Sequence, residues 1–148
     1  MSERASQMAG LVATIDPVKS SGKTWTSDVI DASLYDSVLF ILSIGAVSSC
    51  SGVVTLKVYE GTATGTVTTL IGSTAFTAAN TSSQNVQLIW DHDCERMSGP
   101  NYRYVKATVT NASNSGALIS LVGLGFKPRF HPASDGDLAS VQVIANST

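Results

Sequence analysis

From Trp25 onward, short apolar runs alternate with clusters of turn residues, and inside the runs apolar and polar side chains alternate with a period of two. That spacing sends neighbouring side chains to opposite faces of a sheet, so the chain is constrained to short strands. The runs fall at residues 29–30, 37–44, 53–59, 66–71, 74–77, 85–90, 102–110, 117–126 and 141–145. In the third, Val54, Leu56 and Val58 share one face while Thr55, Lys57 and Tyr59 share the other. Val105, Ala107 and Val109 separate from Tyr104, Lys106, Thr108 and Thr110 in the same way. The runs at 38–44 and 117–122 are almost continuously apolar, which marks central strands covered on both faces or lying at a subunit contact. Alternation predicts a core containing Val38, Phe40, Leu42, Val54, Leu56, Val58, Val105, Ala107, Val109, Leu118 and Val122.

Ser51-Gly52, Glu60-Gly61, the cluster at 80–83, Ser98-Gly99-Pro100-Asn101 and the small polar residues at 111–116 supply turns between the runs. About eight strands at this spacing predict an all-β fold, an antiparallel β-sandwich of the jelly-roll kind, with a closed barrel as the alternative. The 148 residues suffice for one domain with its own core. Residues 1–24 read as an N-terminal arm, 25–126 as the sandwich, and 127–148 as a C-terminal arm. The first arm has one apolar patch at 11–15 before Pro17 and a Ser-Ser-Gly-Lys turn; the second opens with Pro128 and Pro132.

Charge narrows the function classes. Only 14% of residues are charged against 43% hydrophobic, and Ser and Thr make up about a quarter, so polarity comes from hydroxyls more than from ions. Disorder and a helical fold are both disfavoured. The net charge is −2 and the nine basic residues are scattered, which leaves no stripe for a phosphate backbone, so no nucleic-acid partner is expected. No apolar stretch approaches the roughly 18 to 20 residues of a membrane helix, and no membrane partner is expected. Residues 1–10 lack the apolar centre of a secretory signal, so synthesis in the cytoplasm is expected. Cys50 and Cys94 belong to no Cys-x-x-Cys pair and read as two thiols of a reducing compartment, with a bridge between them as the alternative.

Candidate chemistry is sparse. Asp91-His92-Asp93-Cys94-Glu95 is the one dense cluster of metal-competent side chains. Consecutive residues do not converge on one ion, and the cluster reads as an acidic loop in which Asp91 or Asp93 caps a turn toward Met97; a zinc or calcium site is the alternative. A Cys94–His92 nucleophile pair would start about 7 Å apart on a strand and has no oxyanion turn behind it. Serines are plentiful, but none sits in a Gly-x-Ser-x-Gly elbow, and Glu60, Asp91, Asp93 and Glu95 read as solvated loop acids more readily than as a glycosidase pair. Asn80, Asn111 and Asn146 open glycosylation-like triplets that read as turns in the absence of a signal. Trp25, Trp90, Tyr102 and Tyr104 are the residues from which a sugar-stacking platform could be built; aromatic fillers of core and interface are the plainer reading. No catalytic residue, metal or cofactor is assigned.

The strand segments Tyr35-Asp36-Ser37-Val38-Leu39-Phe40, Ile44-Gly45-Ala46-Val47, Thr55-Leu56-Lys57-Val58-Tyr59-Glu60 and Tyr102-Arg103-Tyr104-Val105-Lys106-Ala107-Thr108-Val109-Thr110 resemble those of small proteins encoded among the head genes of tailed bacteriophages. The likeness spans about residues 31–130 and rests on strand patterns. It implies a non-enzymatic virion structural protein, made in the host cytoplasm, that decorates or cements the head and has the major capsid protein or other virion proteins as partners. A head–tail connector or tail component is the alternative within that class; a carbohydrate-binding module is the alternative outside it. A homotrimer is implied by the same resemblance. The apolar residues of the two arms and the end of the last long run, Leu11, Val12, Ile15, Phe126, Arg129, Phe130, Val141, Val143 and Ile144, are the candidate contacts with capsid or neighbouring subunit. The segment at 141–144 would be an aggregation-prone edge if it stayed free, so it is expected to pair, with a neighbour or with its own domain.

Overall fold

The computed structural model describes residues 8–45, 52–78, 85–112 and 116–128. Nine strands are found there: β1 (Ala9–Ser20), β2 (Thr24–Thr26), β3 (Ile30–Asp31), β4 (Tyr35–Gly45), β5 (Gly52–Gly61), β6 (Thr69–Ala78), β7 (Val86–Asp93), β8 (Tyr104–Asn111) and β9 (Ala117–Pro128). They form two antiparallel sheets packed as a sandwich. One has the order β1-β9-β4-β7; the other has the order β2-β8-β5-β6, with β3 also pairing with β8. The pairings nest: β5 lies beside β6, β4 beside β7, β2 and β3 beside β8, and β1 beside β9. Contacts of β4 with β9 and of β5 with β8 join these nested pairs into the two sheets.

Alternation builds the interior. Val38, Phe40 and Leu42 of β4 face Val54, Leu56 and Val58 of β5 and Val105, Ala107 and Val109 of β8, and all nine are fully buried in one hydrophobic cluster. Each fully buried aliphatic or aromatic side chain of this kind stabilises the fold by about 1.5–3 kcal/mol. β4 and β9 are the central strands of their sheet, as their continuous apolar runs require.

The expected facing of the last run is corrected. Ala117, Ile119 and Leu121 point inward, whereas Leu118 and Val122 lie on the outer face, 51% and 36% exposed. The cause is aromatic packing from β4. A side-chain carbon on Gly125 would stand 2.6 Å from the Tyr35 ring, and one on Gly123 would stand 3.2 Å from the Phe40 ring. Those rings need empty positions on β9, so the glycines take the inward register and the large even-numbered residues face out.

The expected N-terminal arm is also corrected. Residues 9–20 are the edge strand β1, paired along β9, and they bring Val12, Ala13 and Ile15 into the core. Two register shifts, at Leu11/Ala13 and Ile15/Val18, interrupt the period of two, and Pro17 sits at the second on the open edge. The run at 74–77 and the end of the run at 66–71 join in the single strand β6, which starts at Thr69 after a 3-10 turn at Thr64–Thr66 and is bulged opposite Val58/Tyr59, and the run at 85–90 extends to Asp93. The sandwich therefore spans 9–128 rather than 25–126 within the described residues. The expected C-terminal arm beyond Pro128, with its strand at 141–145, lies outside them.

At one end of the sandwich Asp31 caps the 3-10 turn Ala32–Leu34, its Oδ1 accepting from the Ser33 backbone N–H at 3.1 Å. Arg103 donates to both oxygens of the same carboxylate and stacks 5.6 Å from the Tyr104 ring. Burial pushes the Asp31 carboxyl up, but hydrogen bonds from Arg103 and Ser33 and the charge of Arg103 outweigh it and hold the group below its ordinary value.

Candidate docking face

The two outer faces of the sandwich differ in chemistry. On the β2-β8-β5-β6 sheet, Thr24, Thr110 and Thr55 line up across three strands, with Thr26, Thr108 and Lys57 in the next row and Tyr59 beside Lys106 beyond it. The Thr24 and Thr110 hydroxyls share a hydrogen bond of 2.9 Å. This is a mainly polar face of threonines, lysines and tyrosines, in which Thr108 is buried and Leu70, paired with Tyr59, is exposed.

The outer face of the β1-β9-β4-β7 sheet is apolar. Leu39 lies beside Leu124, which pairs onward with Leu11; Ile41 lies between Ile89 and Val122. Ile89 is 60% exposed. Near the start of β4 and the end of β9 the face dips into a groove of about 570 Å³ lined by Met8, Leu39, Asp91, Phe126 and Lys127 among others. Each row is apolar across three strands, the first ending at Asp91 on β7 and the second at Thr14 on β1; isolated apolar side chains on a protein surface need no explanation, but two such adjacent rows mark a contact surface. The sequence carried a trace of this face, because a continuous apolar run in a strand means that both of its sides are apolar. Alternation alone assigned no role to Ile41, Ile89 or Leu124.

The predicted contact residues divide. Val12 and Ile15 are each 6% exposed and belong to the core, so they are corrected as surface contacts. Leu11, on the neighbouring register, reaches the apolar outer face, and Phe126 lines its groove. Arg129, Phe130, Val141, Val143 and Ile144 lie outside the described residues.

The acidic cluster is split by the pleat of β7. Asp91 and Asp93 are exposed, while His92 and Cys94 are buried. Asp93 accepts from the Glu95 backbone N–H at 3.0 Å and meets Arg96 in an exposed ion pair, which makes it the turn former expected there. Among the described residues, no group of three or more His, Cys, Asp or Glu side chains is arranged to hold a metal ion. The aromatic platform does not assemble either. Trp25 packs against the core from β2, whereas Trp90 lies over Gly72 of β6, at the opposite edge of that sheet. Tyr102 approaches the Thr69 hydroxyl, and Tyr104 stacks with Arg103.

One polar group inside the sandwich was not foreseen. Glu60, 1% exposed, reaches from β5 to accept the Ser98 backbone N–H at 3.1 Å through Oε2, while Oε1 makes no hydrogen bond among the described residues. His92 faces it electrostatically from the other sheet, with Nε2 3.2 Å from the Met97 sulfur. Burial pushes His92 below its ordinary value, and the negative charges of Glu60, Asp93 and Asp91 oppose that shift without cancelling it. Both side chains hold the connection between β7 and β8. Sequence spacing offered no signal for Glu60, which sits at an inward position of β5 next to a turn and reads from the sequence as a loop acid.

Among the described residues no helix is long and apolar enough to cross a membrane. Neither a protein-family model nor a curated protein sequence matches the chain.

Proposed function

We propose that the chain is a non-enzymatic structural protein of a tailed-bacteriophage virion that decorates or cements the assembled head. The observation that carries the assembly role is the contrast between the two outer faces: one carries two adjacent apolar rows and the other is mainly polar. A sandwich that worked alone in water would keep both outer faces wet. The nested strand order supports a jelly roll, an architecture used in viral capsid and lectin domains, and the likeness of the strand segments to phage head-gene products selects the first of these. The lectin-like alternative loses support because Trp25 and Trp90 pack at opposite edges.

The mechanism is mass action. A protein that binds the assembled lattice and not its free subunits stabilises the lattice by its own binding free energy, and this needs no cofactor. The major capsid protein is the partner this reading requires.

Quantitative mass spectrometry of purified particles tests it. Decoration gives hundreds of copies per particle, and a connector or tail position gives about a dozen or fewer. A particle that lacks the chain altogether overturns the virion role.

A further inference from the structure

We propose that the apolar outer face of the β1-β9-β4-β7 sheet is covered by the same face of a second copy of this chain, forming a two-fold, sheet-on-sheet dimer. The inference rests on reading that face as an assembly surface and gives it a second copy as its immediate partner, so that the dimer meets the capsid through another part of its surface.

Three observations select a second copy. The first is composition. Leu39, Ile41, Ile89, Val122 and Leu124 form an aliphatic patch bordered by Asp91 beside Leu39 and by Thr14 beside Val122, while the polar row Gln87-Ser43-Ser120 sets Leu118, next to Lys19, apart from it. Interfaces with partners that come and go are about as polar as ordinary surface, whereas homodimer interfaces are the more apolar class.

The second is shape. A twisted sheet with apolar side chains on one side is complemented by another such sheet, packed about 10 Å away with interdigitating side chains. Among the described residues the other outer sheet face is rich in threonine and lysine, with Leu70 exposed beside Tyr59, so within this chain the better complement to the apolar face is the equivalent face of another copy. A face that mates with itself does so about a two-fold axis. The threefold arrangement implied by the family resemblance is heterologous and would join two different patches of the surface instead.

The third is size. Four strands about 4.8 Å apart and eight residues long, at about 3.4 Å per residue, make a face of roughly 500 Å² in projection. Protruding side chains raise its accessible area toward the roughly 800 Å² per partner of a stable interface. One copy is enough to cover it.

Light scattering with size-exclusion chromatography on the full chain at micromolar concentration is the test. The expected result is a dimer that Val122→Lys converts to a monomer with an unchanged far-UV spectrum, while Thr55→Lys, on the polar face, stays dimeric. Should Val122→Lys fail to fold, Ile89→Thr on the edge strand is the second variant. It is 60% exposed in the single chain, and its dimer dissociation constant should rise about tenfold or more, as the loss of buried aliphatic contacts requires. A monomeric wild type, a trimeric mass, or a dimer indifferent to these substitutions overturns the proposal. So does a monomeric full chain that dimerises only after truncation at Pro128, because the chain's own C-terminal residues would then be the cover. Particle binding read on the same variants separates the two readings. A dimer that binds no particle counts against the virion role alone, and a monomer that binds particles counts against the dimer alone.

Discussion

His92 enters the sandwich from β7 with its ring nitrogen against the Met97 sulfur and its proton affinity lowered by burial. An unfolded chain takes up this proton around the ordinary value of 6.5, before the folded chain does. Between that value and the lower folded one, the unfolded state binds more protons, so stability falls as the pH drops. The urea midpoint should therefore decline from pH 7 toward pH 5, and His92→Leu should flatten that decline. An unchanged slope in the variant would show that His92 does not report folding. Asp31 acts in the same direction at lower pH: held below its ordinary 3.8 by Arg103 and Ser33, it supports the fold above that value and loses its contribution as acid protonates it. Neither environment was legible in the sequence, where His92 stood in an acidic run and nothing singled out Asp31. Which charges surround a side chain depends on strands that meet only in the fold, such as β5 with Glu60 and β7 with His92.

Legibility improves where strands are regular. From Val38 onward in β4, and along β5 and β8, the apolar inward residues follow the period of two, although Glu60 and Asn111 are buried with them and Thr108 is buried between Ala107 and Val109. β1 escaped because its two bulges put Val12 and Ala13 side by side in the core and displace Val18 from the register of Ile15. β9 was recognised as a strand but turned over, since residue size was weighed without the space that the Tyr35 and Phe40 rings require at Gly125 and Gly123. β2 is only three residues long, too short for any period to show. The reassignment of β1 carries its own test. As an arm, residues 1–20 would be dispensable for folding; as a strand, residues 9–20 cover one side of β9 and close the core. Deleting them should abolish the cooperative thermal transition, and Ile15→Ala in the full chain should cost about 2–5 kcal/mol, the range for truncating a buried aliphatic side chain. A truncated chain that melts cooperatively near the wild-type temperature would return residues 9–20 to the status of an arm.

For the whole molecule, the division of labour lies between the two outer faces. One sheet hydrogen-bonds its threonines to each other and presents lysine and tyrosine to water; the other presents rows of leucine, isoleucine and valine. All-β class and sandwich architecture were legible from composition and strand spacing. The asymmetry between the faces was visible only as the near-continuous apolar runs of two strands, because the rows arise from the register of β4 with β7 and β9. Burial of this face between chains is read out by hydroxyl-radical footprinting across a dilution series. Ile89, Val122 and Phe126 should be protected at micromolar concentration and become reactive on dilution, while Tyr59 and Tyr104 on the opposite sheet react alike throughout. Equal reactivity of Ile89, Val122 and Phe126 at every concentration would contradict it.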